Sequence, residues 1–94
     1  MTNAAQSEKI FTLTIDAEDI TVRYRPHHID GTDPYAILEF TSPHHPRRRI
    51  PLSDNGYRSF FAPMREIEAA PSVEHYACIV ALILAREVAS LPSA

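Results

Sequence analysis

Cysteine and glycine are scarce in this 94-residue chain, with one and two copies. The lone Cys78 excludes an internal disulfide framework and fits a reducing compartment. Gly31 and Gly56 are too few to build a phosphate-cradling loop or a dinucleotide fingerprint. The longest apolar stretch, Tyr76 to Ala85, is too short to span a bilayer. A strong positive balance is missing too. Nine Lys and Arg stand against twelve Asp and Glu, and a net charge of -3 argues against a general nucleic-acid binder. Met1 to Lys9 has neither a basic start nor an apolar run, so no signal peptide is expected. These absences together predict a soluble cytoplasmic protein.

Chemistry is equally thin. Ser53, Asp54 and Ser59 lie near one another in sequence, but no histidine is assigned to them as a base. The histidines include two adjacent pairs, His27-His28 and His44-His45, plus His75 three residues before Cys78. Neighbours in extended chain point to opposite faces, so each pair offers one ligand easily, whereas zinc needs four converging on one point. Cys78 sits among apolar residues and reads as a small core side chain. The expectation is a non-enzymatic protein with no metal and no cofactor.

What the chain does contain is alternation followed by helical spacing. Phe11, Leu13 and Ile15 share one face, as do Ile20, Val22 and Tyr24, and then Ala36, Leu38 and Phe40. Asp16 to Asp19 forms the first loop, Pro26 to Pro34 the second, and Ser42 to Pro46 the third. A fourth strand is expected over Arg47 to Leu52, with Pro51 placing it at a sheet edge. Pairing Ile15 with Ile20, Tyr24 with Ala36 and Phe40 with Arg48 keeps every apolar set on one face. The same register sets Glu39 opposite Arg49. Ser72 suits the cap of a helix that ends near Ser90, before Pro92. Val73, Tyr76, Ala77, Val80, Ile83, Leu84 and Val88 recur at the spacing that covers a sheet. Pro63 would open a short helix through Ile67. The predicted fold is α+β: a four-stranded antiparallel β-meander covered on one face by a C-terminal α-helix. It forms a single domain over residues 10–90, between a disordered tail at 1–9 and a short tail at 91–94.

Two surfaces stand out. The sheet face turned away from the helix shows threonines, Arg23, Arg25, Tyr35, Ile37, Glu39, Arg47 and Arg49. Such a face is ordinarily just solvated, but arginine and tyrosine are also the types favoured at interaction hot spots. The helix carries Ile79 and Leu82 off its sheet-facing stripe. Either the Ala62 to Ala70 segment covers them, or they are a self-association patch through which two copies pair.

The densest motif is Ile50-Pro51-Leu52-Ser53, running through Asn55-Gly56 into Tyr57-Arg58-Ser59-Phe60-Phe61. Asn55-Gly56 is a turn signal, and the aromatics could plug the end of the core. Arg58 is then the member most suited to binding, with Tyr57 beside it. With Val22-Arg23-Tyr24-Arg25-Pro26, Leu38-Glu39-Phe40 and Ser42-Pro43, this block resembles short proteins carried on bacterial plasmids and integrative elements. The resemblance covers about residues 20–61, and histidine is expected where this chain has Phe60. It implies a mobile-element setting, where small accessory proteins blunt host defences such as restriction or CRISPR systems. The expected function is a protein-binding inhibitor of a bacterial defence complex, anti-CRISPR-like or anti-restriction-like. Its binding set is Arg23, Arg25, Tyr35, Arg47, Arg49, Tyr57 and Arg58. A nucleic-acid-binding accessory protein using the arginine face is the alternative.

Overall fold

The structure, a computed structural model, describes residues 6–90. Residues 1–5 of the tail expected at 1–9, and the whole tail expected at 91–94, lie outside the described residues. Gln6 donates to Glu68 at 2.9 Å and contacts His27 at 2.6 Å, which ties the start of the described chain to the domain. Four strands, β1 (Lys9–Ile15), β2 (Glu18–Ile29), β3 (Tyr35–Thr41) and β4 (Tyr57–Pro63), precede two helices, α1 (Met64–Ala69) and α2 (Val73–Ala89). The strands form one antiparallel sheet in the order β1-β2-β3-β4, a meander with α2 packed on one face. No described helix is long and apolar enough to cross a membrane.

The hairpin between β1 and β2 is tighter than the expected four-residue loop. Asp16 and Ala17 both take positive φ, 52° and 65°, and Ile15 pairs directly with Glu18. Such a two-residue turn follows the right-handed twist of its strands. Ile20 therefore faces Leu13 rather than Ile15, and Tyr24 faces Leu38 rather than Ala36. Both shifts are even, so every apolar side chain keeps its expected face. β2 also runs past Pro26, with the pairing broken between Arg25 and Ile29. A proline fits there because a bulge makes no demand on the missing N–H.

The fourth strand is the main correction. Arg47 to Leu52 is not a strand; among these residues only Ile50 bridges, to Ser53 within the same loop. Tyr57–Pro63 takes the place beside β3, with Phe40 opposite Arg58, Leu38 opposite Phe60 and Ala36 opposite Ala62. Two prolines bracket the arginine run, whereas Tyr57 to Phe61 supplies the aromatics that favour a pleated surface. Glu39 accordingly lies opposite Ser59, not Arg49.

Residues 42–56 make an ordered excursion instead. The Ser42 hydroxyl accepts from the backbone N–H groups of His44 and Arg48, and its own N–H donates to the Gly56 carbonyl at 2.8 Å. Ile50 and Leu52 drop into the core. Gly56 has φ +79° and packs against the Arg48 carbonyl, where a Cβ would collide.

The core joins Ile20, Val22, Tyr24, Leu38 and Phe40 of the sheet to Leu52, Met64 and Ile67. Val73, Ala77, Val80, Ala81 and Leu84 of α2 close it. Ser72 caps α2 by accepting from the His75 N–H at 2.9 Å. Ile83, expected to face the sheet, is 54% exposed, and Ala81 takes its place. On a 100° wheel Ala81 lies about 40° from Ala77, beside the arc of Ala77, Val80 and Leu84, whereas Ile83 lies about 60° beyond its other end.

Candidate functional site

Alternation along β1–β4 sends one set of side chains to α2 and the other to a face that none of these elements covers. The register orders that open face into rows. Thr12, Thr21, Thr41 and Tyr57 form the first, and Ile10, Arg23, Glu39 and Ser59 the second. Arg25, Ile37 and Phe61 form the third. Arg23, Glu39 and Arg25 thus fall in the second and third rows, with the hydroxyls of Thr12, Thr21, Thr41 and Tyr57 on one side and the apolar Ile37 and Phe61 toward the other.

Glu39 is the hub. One carboxylate oxygen accepts from Arg25 Nη2 at 2.8 Å and the other from the Tyr57 hydroxyl at 2.7 Å. The Tyr57 hydrogen bond holds the Glu39 carboxyl below its usual range, against burial, with Arg25 adding to the effect. The reciprocal bond to Glu39, and then burial, push the Tyr57 phenol up. The Arg47 guanidinium lies 5.8 Å from the centre of the Tyr57 ring, within cation–π range. Arg23 stands opposite Glu39 and reaches Glu8 at 3.7 Å. Arg25 Nε is buried with no hydrogen-bond partner.

An apolar rim adjoins this network. Ile37 is only 8% exposed on a face with no covering element, because Arg25 and Phe61 flank it across the strands. Phe61 is half exposed and its ring lies 5.9 Å from that of His28. Tyr35 closes the same end, between Ile29 and Pro63.

The fold gathers Arg23, Arg25, Tyr35, Arg47 and Tyr57 about the open face and sends the other two expected residues elsewhere. Arg49 pairs with Asp54 at 3.1 Å and lines a hollow with Asp16, Ile50, Pro51 and Val88. Arg58 points to the helix side, where it donates to the Leu52 carbonyl at 3.4 Å and lies 3.8 Å from Glu87. Tyr57 and Arg58, adjacent in the motif, therefore serve opposite faces. Ile79 and Leu82 remain 46% and 49% exposed. The short helix α1 sits on the other flank of α2, where the Tyr76 hydroxyl donates to Glu66 at 2.8 Å, and it does not cover them.

Sequence reasoning missed the hub role of Glu39 and the rim formed by Phe61 and His28. Glu39 was placed on this face, but its Tyr57 partner depends on where β4 lies, and no local signal gives that. Among the described residues, no three His, Cys, Asp or Glu side chains group as metal ligands do.

The family model for the third domain of KlcB matches residues 8–92. The chain belongs to the KlcB third-domain family. The match takes in all six elements, so the KlcB-type unit is the whole meander with its two helices. No curated protein and no solved structure matches the chain.

Proposed function

We propose that this KlcB-type domain is a non-enzymatic protein-binding module of a mobile genetic element. In this reading it acts in the cytoplasm, docking its open sheet face on a bacterial defence complex of the restriction or CRISPR kind. There it competes with nucleic acid. The observation carrying the reading is the Arg25–Glu39–Tyr57 network, an exposed-face cluster already locked by its own hydrogen bonds. A side chain fixed before contact loses less entropy on binding, and arginine and tyrosine beside an apolar rim are hot-spot chemistry.

Charge favours a protein over nucleic acid as the partner. A phosphate-binding face keeps its cations free, whereas Arg25 is neutralised by Glu39 and Arg23 lies near Glu8. The mobile-element setting comes from the motif's resemblance to plasmid-borne proteins.

Cells carrying a restriction or CRISPR system and challenged with a targeted plasmid provide the test. Expression of the wild-type chain should raise plasmid survival, and Tyr57→Ala should remove the gain. Direct binding to the purified defence complex should weaken at least tenfold, about 1.4 kcal/mol, in Tyr57→Ala. No protection against any such system would sink the inhibitor reading. Tight binding to a short labelled oligonucleotide that collapses between low and moderate salt would establish the nucleic-acid alternative instead.

A further inference from the structure

The two edges of the sheet are built differently. β4 carries Arg58 within it and ends in Pro63, and a charge or a proline on an edge blocks strand addition. β1 opens with Lys9 but has neither device from Ile10 onward. From Ile10 to Ile15 it reads Ile-Phe-Thr-Leu-Thr-Ile, with no charge and no proline, and its pairing with β2 runs without a bulge. Its far side meets no strand among the described residues. Alternate N–H and C=O groups there are unpaired, the arrangement that recruits another strand. Ile10 is 72% exposed on this edge.

We infer that β1 is a self-pairing edge, joining two copies of this chain about a two-fold axis into one continuous eight-stranded sheet. The occupant is a second copy because one axis satisfies strand and helix at once. Antiparallel pairing about Thr12 sets Phe11 beside the second copy's Leu13 and Ile10 beside its Thr14. Covered-face residues then meet covered-face residues, and open-face residues meet open-face residues.

α2 runs beside β1 in the same direction. Lys9 meets Glu74 at one end, and Ile15 lines a hollow with Leu82, Ala85 and Arg86 at the other. Thr12 lies about 10 Å along β1 from Lys9, and residue 80 lies about 9 Å along α2 from Glu74. The axis through Thr12 therefore passes the middle of α2. It sets the two copies of α2 antiparallel on the same face of the joined sheet. The half-exposed Ile79 and Leu82 then meet their counterparts. Glu74 comes level with Arg86 of the second copy, and Arg86 makes no ion pair within its own chain among the described residues. Opposite charges thus face each other at both ends of the helix contact, while the apolar residues meet in the centre. This pairing leaves the Arg25–Glu39–Tyr57 face of each copy open and does not depend on what that face binds.

The test is sedimentation equilibrium of wild type, Thr12→Lys and the double variant Ile79→Glu/Leu82→Glu, with circular dichroism to confirm folding. Wild type should be a dimer at micromolar concentration. Thr12→Lys puts two like charges face to face at the axis and should raise the dissociation constant at least tenfold. The double variant should do the same. Hydrogen exchange gives a second readout: amides of β1 should gain protection as wild-type concentration rises. A wild type that stays monomeric at several hundred micromolar overturns the inference. So does a dimer that Thr12→Lys leaves intact, because that dimer would not use the edge.

Discussion

The two faces of the sheet solve opposite problems. The covered face is apolar wherever β2 and β3 meet α2, and its largest members, Tyr24 and Phe40, are fully buried. The open face carries Arg23, Glu39 and Arg25 in adjacent rows, and there the half-buried carboxylate of Glu39 organises an arginine and a tyrosine. Packing on the first face fixes the fold, since a one-residue slip would expose every core side chain. Hydrogen bonding on the second adds less to the fold than that packing and more to surface order. Substitutions on the covered face should therefore act on stability, and those on the open face on recognition.

The strongest way to break this contrast is Phe40→Ala. Removing a fully buried aromatic should cost about 3–5 kcal/mol, read from urea denaturation. A loss below 1 kcal/mol would mean the helix-covered side is not the core.

Gly56→Ala comes next, and it tests the excursion that delivers β4. The residue holds φ +79° against the Arg48 carbonyl, so alanine there is both strained and crowded. The expected loss is about 2–3 kcal/mol. If it falls below about 0.5 kcal/mol, the loop does not fix the entry to β4.

pH separates the faces in a third way. The Glu39 carboxyl is held below its usual range in the folded protein. Its contribution is complete above the ordinary value and disappears as pH falls through the folded one. Tyr24 behaves in the opposite sense, because burial first, and Glu68 second, push its phenol up to about 12. Its contribution is complete below pH 10 and is lost as pH climbs from there toward 12. Glu39→Gln should flatten the acid limb of the stability curve and cost about 1–2 kcal/mol at neutral pH. Tyr24→Phe should flatten the alkaline limb. Acid and alkaline limbs unchanged in both variants would remove the assignment.

How legible this was differs along the chain. The faces of β1, β2 and β3 could be read from alternation, because hydrophobic pattern fixes which side a residue takes. Turn length is not written in that pattern, so the expected pairings of Ile15 with Ile20 and Tyr24 with Ala36 were each two residues out. β4 was hidden for a different reason. Phe60 goes inward and Phe61 outward, and Arg58 lies on the covered side, so Tyr57 to Ala62 shows no clean alternation. Arg48, Ile50 and Leu52 imitate a strand, yet only Ile50 and Leu52 are buried, from a loop. Arg23, Arg25 and Tyr35 were legible as open-face residues because their strands were. The Glu39–Tyr57 bond was not, because it joins strands separated by that loop.

The smallest expected effect is the most discriminating. Arg58 follows Tyr57 in the distinctive motif, and sequence alone ranks it first for binding. On the covered side it has a long hydrogen bond to Leu52 and a 3.8 Å approach to Glu87, at a partly exposed position. Interactions of this kind are worth at most about 1 kcal/mol. A flat partner on the open face touches Tyr57 and cannot reach Arg58 through the sheet. Arg58→Ala should therefore lower stability by about 0.5–1 kcal/mol and leave open-face affinity within about twofold. Tyr57→Ala should weaken the same interaction at least tenfold, as measured by calorimetry against one partner. Equal loss in both variants would mean that the partner wraps the β4 edge and contacts both sides, and the division of labour between the faces would fail there.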